Sequence, residues 1–237
     1  MFGTTLASRI EQWRVWTLRE EALSLTKTGD SLRLSAPGWP QEATGQDDGF
    51  AIAPSVEGMY KVRLWGRFSP GWCGSLSLGL SWVGVNIVRG FARKIAPGRW
   101  VAEFQVQQAV AGHDVTAIDY LALARDRPSS VAPVPIALDS YRIAGNAERS
   151  EALSLEVRGP DCVGFLGSLL ECFARFSLFP EEMGIETREG QAVDRFALKA
   201  TGGRTPSEEI RFALDALLDG LTRRPSLPGV AVNDAGL

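Results

Sequence analysis

Histidine is almost missing from this 237-residue chain: His113 is the only one. Neither a Ser-His-Asp nor a Cys-His relay can be built without it, and Asp114 is merely its sequence neighbour. Cysteine is scarce as well. Cys73, Cys162 and Cys172 show no paired spacing, which excludes a disulfide framework and a zinc ribbon and points to a reducing compartment. No apolar run approaches the roughly 20 residues of a membrane span. The start, "MFGTTLASRIEQWRVW", lacks the basic opening and continuous apolar core of a secretion signal, so a cytoplasmic location is expected. Positive charge is not in excess. The net charge of −3 gives no general attraction to nucleic acid, and the basic stretch "GFARKIAPGR" reads as a solvated hairpin. No Gly-x-Gly-x-x-Gly precedes a helix and no Lys-Ser/Thr follows a glycine turn. The expectation is therefore a protein with no catalytic constellation, no metal and no cofactor.

What is present is a chain of two textures. Up to about residue 145 the apolar residues alternate with period two. "ALSLTKTGDSLRLSA" (22–36) reads as two strands about a turn, and "YKVRLWGRF", "GSLSLGLSW", "RWVAEFQV", "AIDYLALA" and "PIALDSYRI" continue the pattern between Gly, Pro and Asp joints. Seven or more strands with no interposed helix imply two sheets facing across a core. After "AGNAERSE" (144–151) the pattern becomes β-α-β-β-α. Leu153, Leu155 and Val157 alternate; Phe165, Leu166, Leu169, Leu170 and Phe173 share a helical face; Met183, Ile185 and Thr187 begin a strand pair turning at Glu189-Gly190. Thr205, Pro206 and Glu208 then form a helix start, with Ile210, Leu214, Leu217, Leu218 and Leu221 as its stripe. The expected division is 1–145, 146–222 and a tail 223–237.

A possible repeat crosses that boundary. "GRFSPGWCGSL" (66–76) and "GPDCVGFLGSL" (159–169) share their glycines and Gly-Ser-Leu at an offset of 93 residues. True repetition would make residues 74–87 helical. Leu76, Leu78, Leu80 and Trp82 instead alternate with Ser75, Ser77, Gly79 and Ser81, which argues for a strand and against a repeat.

The corner Asp161-Cys162-Val163-Gly164-Phe165 runs from strand to helix. Gly164 lets the backbone turn, and the first helical amides of such a corner can hold a carboxylate. Asp161 can bind a ligand ammonium or simply cap the helix. Cys162 stands where a thiolate is favoured, but reads more readily as a buried or merely small residue. Residues 152–221 resemble an ACT domain, the ferredoxin-like module that often senses amino acids; Asp161 and Gly164 match its Asp-x-x-Gly corner, with Val163 where proline is usual. Residues 13–144 resemble the jelly-roll sandwiches of carbohydrate-binding and galactose-binding-like modules. The resemblances together imply a two-domain protein, an all-β jelly roll followed by an α+β ferredoxin-like domain. They imply an accessory or adaptor subunit of a larger protein assembly, or an amino-acid sensor, or a glycan-binding module.

All seven tryptophans precede residue 101. Trp39 and Trp72 lie beside Gly-Pro turns, where exposed rings would serve as contact aromatics. Phe2, Leu6, Ile10 and Trp13 form one stripe if helical, a face for a partner groove, a membrane surface or the chain's own core. Glu181, Glu182, Glu186 and Glu189 read as a solvated acidic face.

Overall fold

The computed structural model describes residues 24–28, 31–35, 47–110, 112–126, 131–144 and 152–222. The stripe of Phe2, Leu6, Ile10 and Trp13, the contact aromatic Trp39 and the tail 223–237 lie outside the described residues. Strands β1 (Ser24–Thr28) and β2 (Ser31–Ser35) form the expected hairpin. The other strands are β3 (Gly49–Pro54), β4 (Tyr60–Arg67), β5 (Val85–Ala96), β6 (Arg99–Gln108), β7 (Ser140–Ala144), β8 (Leu153–Pro160), β9 (Leu178–Arg188) and β10 (Gln191–Ala200). The helices are α1 (Trp72–Trp82), α2 (Tyr120–Arg125), α3 (Phe165–Arg175) and α4 (Glu208–Thr222).

Strands β3 to β10 form one antiparallel sheet in the order β3-β4-β6-β5-β9-β10-β8-β7. This overturns the expected jelly roll followed by a separate ferredoxin-like domain. The two halves share one sheet, joined where β5 pairs with β9, and their apolar residues form one continuous core. Read from the centre outward, each half repeats the same plan. A strand, a helix and a hairpin (β4-α1-β5-β6 and β8-α3-β9-β10) build a βαββ unit, and the strand preceding it in sequence (β3 or β7) fills the outer edge.

The decisive correction concerns "GSLSLGLSW", which is helical. Trp72, Cys73, Leu76, Ser77, Leu78, Gly79 and Leu80 of α1 are all buried. Its less buried positions, Gly74, Ser75, Ser81 and Trp82, carry no charge, so its sequence shows no 3.6-residue signature and an accidental alternation looks like a strand. Its small residues let neighbours come close. A Cβ on Gly167 of α3 would lie 3.0 Å from the Leu78 backbone nitrogen, and one on Gly79 would lie 2.7 Å from Leu123. "AIDYLALA" likewise supplies a helix, α2, capped by the Asp119 carboxylate on the Ala122 amide. Of "PIALDSYRI", only Ser140–Ala144 is strand.

The 93-residue repeat is thus real. Helices α1 and α3, and the strands before and after them, begin 93 residues apart. Each helix is entered through a left-handed glycine, Gly71 at φ 87° and Gly164 at φ 91°. Each is left through a second left-handed residue, Gly84 at φ 70° and Ser177 at φ 56°. In the C-terminal unit the expected β-α-β-β-α order is observed, with Glu189 and Gly190 both at positive φ in the β9–β10 turn. Helix α4 is capped by Ser207, whose Oγ accepts the Ile210 amide at 3.3 Å, rather than by Thr205.

Candidate functional site at the junction of the two units

Two strand-to-helix corners face the β5–β9 junction. In the corner before α3, the Asp161 carboxylate is already engaged. Its Oδ2 accepts a hydrogen bond from Asn86 Nδ2 and another from Thr187 Oγ1, each at 3.0 Å. Asn86 begins β5 of the other unit, and Thr187 ends β9 of its own. The Asp161 amide donates to the Gly190 carbonyl at 2.8 Å.

The chain also covers this corner with its own residues. The Val134 amide donates to Ser168 Oγ in the first turn of α3 at 2.8 Å. A Cβ on Gly164 would come within 3.3 Å of the Val134 side chain, and one on Gly159 would lie 2.5 Å from the Ala137 carbonyl oxygen. Ile136 and Leu138 are buried beneath the same segment. Of the sequence-predicted ligand residues, Gly164 and Phe165 are buried, Val163 is half-buried and Cys162 is exposed. Partial burial, with the Asp161 charge beside it, pushes the Cys162 thiol up, so the position does not favour a thiolate.

The corner before α1 has the same backbone and different chemistry. The repeat places Phe68, Phe179 and Lys94 where the other corner has Asp161, Asn86 and Thr187. All three line an open cavity of about 700 Å³ between the Gly71 corner, the start of β9 and the turn after β10. Among the described residues only Phe179, at 3.6 Å, approaches the position of a Cβ on Gly71. At the cavity edge Lys94 Nζ meets Glu181 Oε1 at 2.8 Å, and Lys199 Nζ lies 3.9 Å from Glu181 Oε2.

Trp72 was expected to be an exposed contact aromatic; it is 2% exposed. As the first residue of α1 it stacks on Phe68 at 4.6 Å between ring centres and meets Trp100 edge-on at 5.7 Å, forming the cavity's inner wall. Sequence reasoning missed Lys94, Phe179 and Glu181 here, and Asn86 and Thr187 at the other corner. The signal that identifies them is the repeat, because it superposes the two corners residue by residue.

The acidic residues of β9 are not a simple solvated face. Glu186 is buried and pairs with Arg188 at 2.8 Å. In the β5–β9 ladder Glu186 stands opposite Arg89, and Glu182 opposite Arg93. Glu156 of β8 is gripped by Arg195 at 2.9 Å and Arg158 at 3.0 Å. Burial disfavours its charge, but the two guanidiniums outweigh that and hold its carboxyl below the ordinary range. Asp194 on β10 is the opposite case. Burial pushes its carboxyl up to about 8, against the pull of the Glu186 amide, and the neighbouring Asp161 charge adds to the rise.

No family model and no curated protein matches the chain. Among solved structures, the chain is similar to aspartate kinase from Synechocystis, with 17% identity and a TM-score of 0.39 over 70% of this chain and 28% of that one. The chain thus corresponds to well under half the length of that kinase. Among the described residues no helix is long and apolar enough to cross a membrane.

Proposed function

We propose that this chain is a non-catalytic regulatory module, a tandem pair of ACT-like units that binds a small carboxylate-bearing metabolite and serves a larger protein assembly as an accessory subunit. The observation that carries this reading is the position of the cavity. It lies where the Gly71 corner of one unit meets the start of β9 in the other, so a bound molecule touches both halves of the sheet at once. Such a ligand stabilises one relative placement of the units by as much as it prefers that placement, which is what a regulatory signal requires. The ligand class follows from the wall: aromatic rings for an apolar body and lysine ammoniums for a carboxylate.

The non-catalytic part of the reading rests on the lone histidine, His113, which sits exposed in the loop after β6 and far in sequence from either corner. The test is a thermal-shift panel of amino acids and their deaminated acids on the whole chain, followed by calorimetric titration. A saturating ligand raises the melting temperature measurably. Retention of a partner from native extract, with and without the ligand found, then tests the accessory role.

A further inference from the structure

The two corners share one backbone but not one chemistry, and the difference selects a ligand. At the Gly164 corner the carboxylate of Asp161 is the group that would meet an ammonium, and it is spent on Asn86 and Thr187. Val134 lies against Gly164, and its amide is tied to Ser168. At the Gly71 corner the counterpart of Asp161 is Phe68, so no carboxylate stands at that position. The counterpart of Thr187 is Lys94, which brings a positive charge to the cavity edge.

We infer that the Gly71 corner binds one small apolar carboxylate per chain, aryl or alkyl, without needing an α-ammonium, and that the Gly164 corner is a structural copy that binds none. This rests on the ligand reading proposed above. Trp72, Trp100 and Phe179 give the apolar body a wall. An ammonium has three donors, and Glu181 engages Lys94 through one contact, leaving donor capacity for a second carboxylate. An ammonium on the ligand would face Phe68 where the other corner offers Asp161, and would lie near the Lys94 charge. The Glu181 carboxylate at the cavity edge is already engaged by Lys94 and faces Lys199, so a ligand ammonium would have to compete with those lysines for it and adds desolvation cost and repulsion.

The experiment is calorimetric titration of the full chain at neutral pH with 3-phenylpropionate, hexanoate, L-phenylalanine and phenethylamine. The expected result is binding of 3-phenylpropionate at one per chain, at least as tightly as L-phenylalanine, with no binding of the amine. Lys94→Met should weaken the acid about 10-fold or more, the scale of one lost charge-assisted hydrogen bond. Asp161→Asn should leave its affinity unchanged. Lys94 is at a half-exposed ion pair, so its loss leaves the fold intact, which circular dichroism checks directly. Binding of L-phenylalanine but of neither acid, binding of two molecules per chain, or loss of affinity in Asp161→Asn but not in Lys94→Met would each overturn the inference while leaving a ligand-binding module. Silence of all four compounds at millimolar concentration overturns both.

Discussion

Phe91 of β5 stands directly opposite Gly184 of β9, and each is the other's counterpart in the 93-residue repeat. A ladder centred on equivalent residues is what an approximate two-fold axis produces, here inside one chain rather than between two. Arg89 opposite Glu186 and Arg93 opposite Glu182 are then the same contact seen from its two ends. The axis also explains why there are two corners, and why their differences are informative: whatever symmetry would impose has been altered by sequence.

The charges across this ladder also encode which halves pair. If the C-terminal half paired with a copy of itself about Gly184, Glu182 would stand opposite Glu186 at both ends. Like charges directly opposite are destabilising, and opposite ones contribute roughly 0.2–1 kcal/mol per pair. Residues 127–237 expressed alone should therefore resist forming a homodimer at neutral pH and low salt, and should form a one-to-one complex when co-expressed with residues 1–126. Light scattering of the purified species decides this. A stable C-terminal homodimer under those conditions would show that the charges do not direct the pairing.

Asp161 is a structural residue by its contacts. Replacing it with alanine leaves Asn86 Nδ2 and Thr187 Oγ1 without their shared acceptor, a loss on the scale of about 1–3 kcal/mol. Because Asn86 belongs to one unit and Asp161 to the other, the loss should fall on the junction. Denaturant unfolding should show a lower midpoint for Asp161→Ala, and Asn86→Ala should reproduce most of it, the pair being strongly non-additive. Additive effects of the two substitutions would show that the contact is not shared.

How much of this was legible in the sequence can be read at particular residues. The C-terminal unit was, because the less buried positions of α3 include Glu171 and Arg175, which set off the Phe165–Leu169–Phe173 stripe. Strands β4, β6 and β10 were legible from alternation and the β5–β6 turn from "GFARKIAPGR", but the central strand β5 was not, because its arginines and lysine read as a solvated face. Helix α1 was not, since its less buried positions, Gly74, Ser75, Ser81 and Trp82, carry no charge to mark an amphipathic period. The missed helix then concealed the repeat, and the repeat concealed the cavity. The shared glycines were the better evidence: Gly71 and Gly164 both hold φ near +90°, a conformation side chains rarely adopt.

Close packing against Gly90 offers a sharper test of the central strands. A Cβ there would lie 2.4 Å from the Glu103 carbonyl oxygen and 2.5 Å from the Phe104 ring, so β5 would have to move away from β6. Gly98, in the turn between those strands, has φ 70° and none of the described residues within 4 Å of the position of a Cβ. Gly98→Ala should therefore cost only the left-handed backbone penalty of roughly 1–2 kcal/mol. Gly90→Ala should cost more, about 2–3 kcal/mol from overpacking and a strained ladder. Urea midpoints of the two variants rank them, and a Gly90→Ala midpoint above that of Gly98→Ala would contradict the packing.

Asp194 is 1% exposed, and burial raises its carboxyl to about 8. Its Oδ1 accepts the Glu186 amide at 3.4 Å, while its Oδ2 is buried with no hydrogen-bond partner among the described residues. The folded chain therefore keeps a proton on Asp194 across a range in which the unfolded chain has already released it. Below about pH 4 both states are protonated, and the group is neutral in its effect on stability. As pH rises from there toward 8, the unfolded state sheds the proton first, so stability declines by up to about 1.4 kcal/mol per pH unit. Above about 8 the folded state ionises too, and the decline stops. Glu156 acts in the other direction: its folded carboxyl is lowered, so its contribution is lost as pH falls into the acid range. Together they place maximal stability on the acid side of neutrality. Asp194→Asn keeps an acceptor for the Glu186 amide and removes the titration. Urea unfolding from pH 5 to 8 should show a falling stability for the natural chain and a flatter profile for the variant, with the variant ahead at pH 8. Parallel slopes in the two proteins would mean that Asp194 is ionised in the fold and that the buried carboxylate has found a partner.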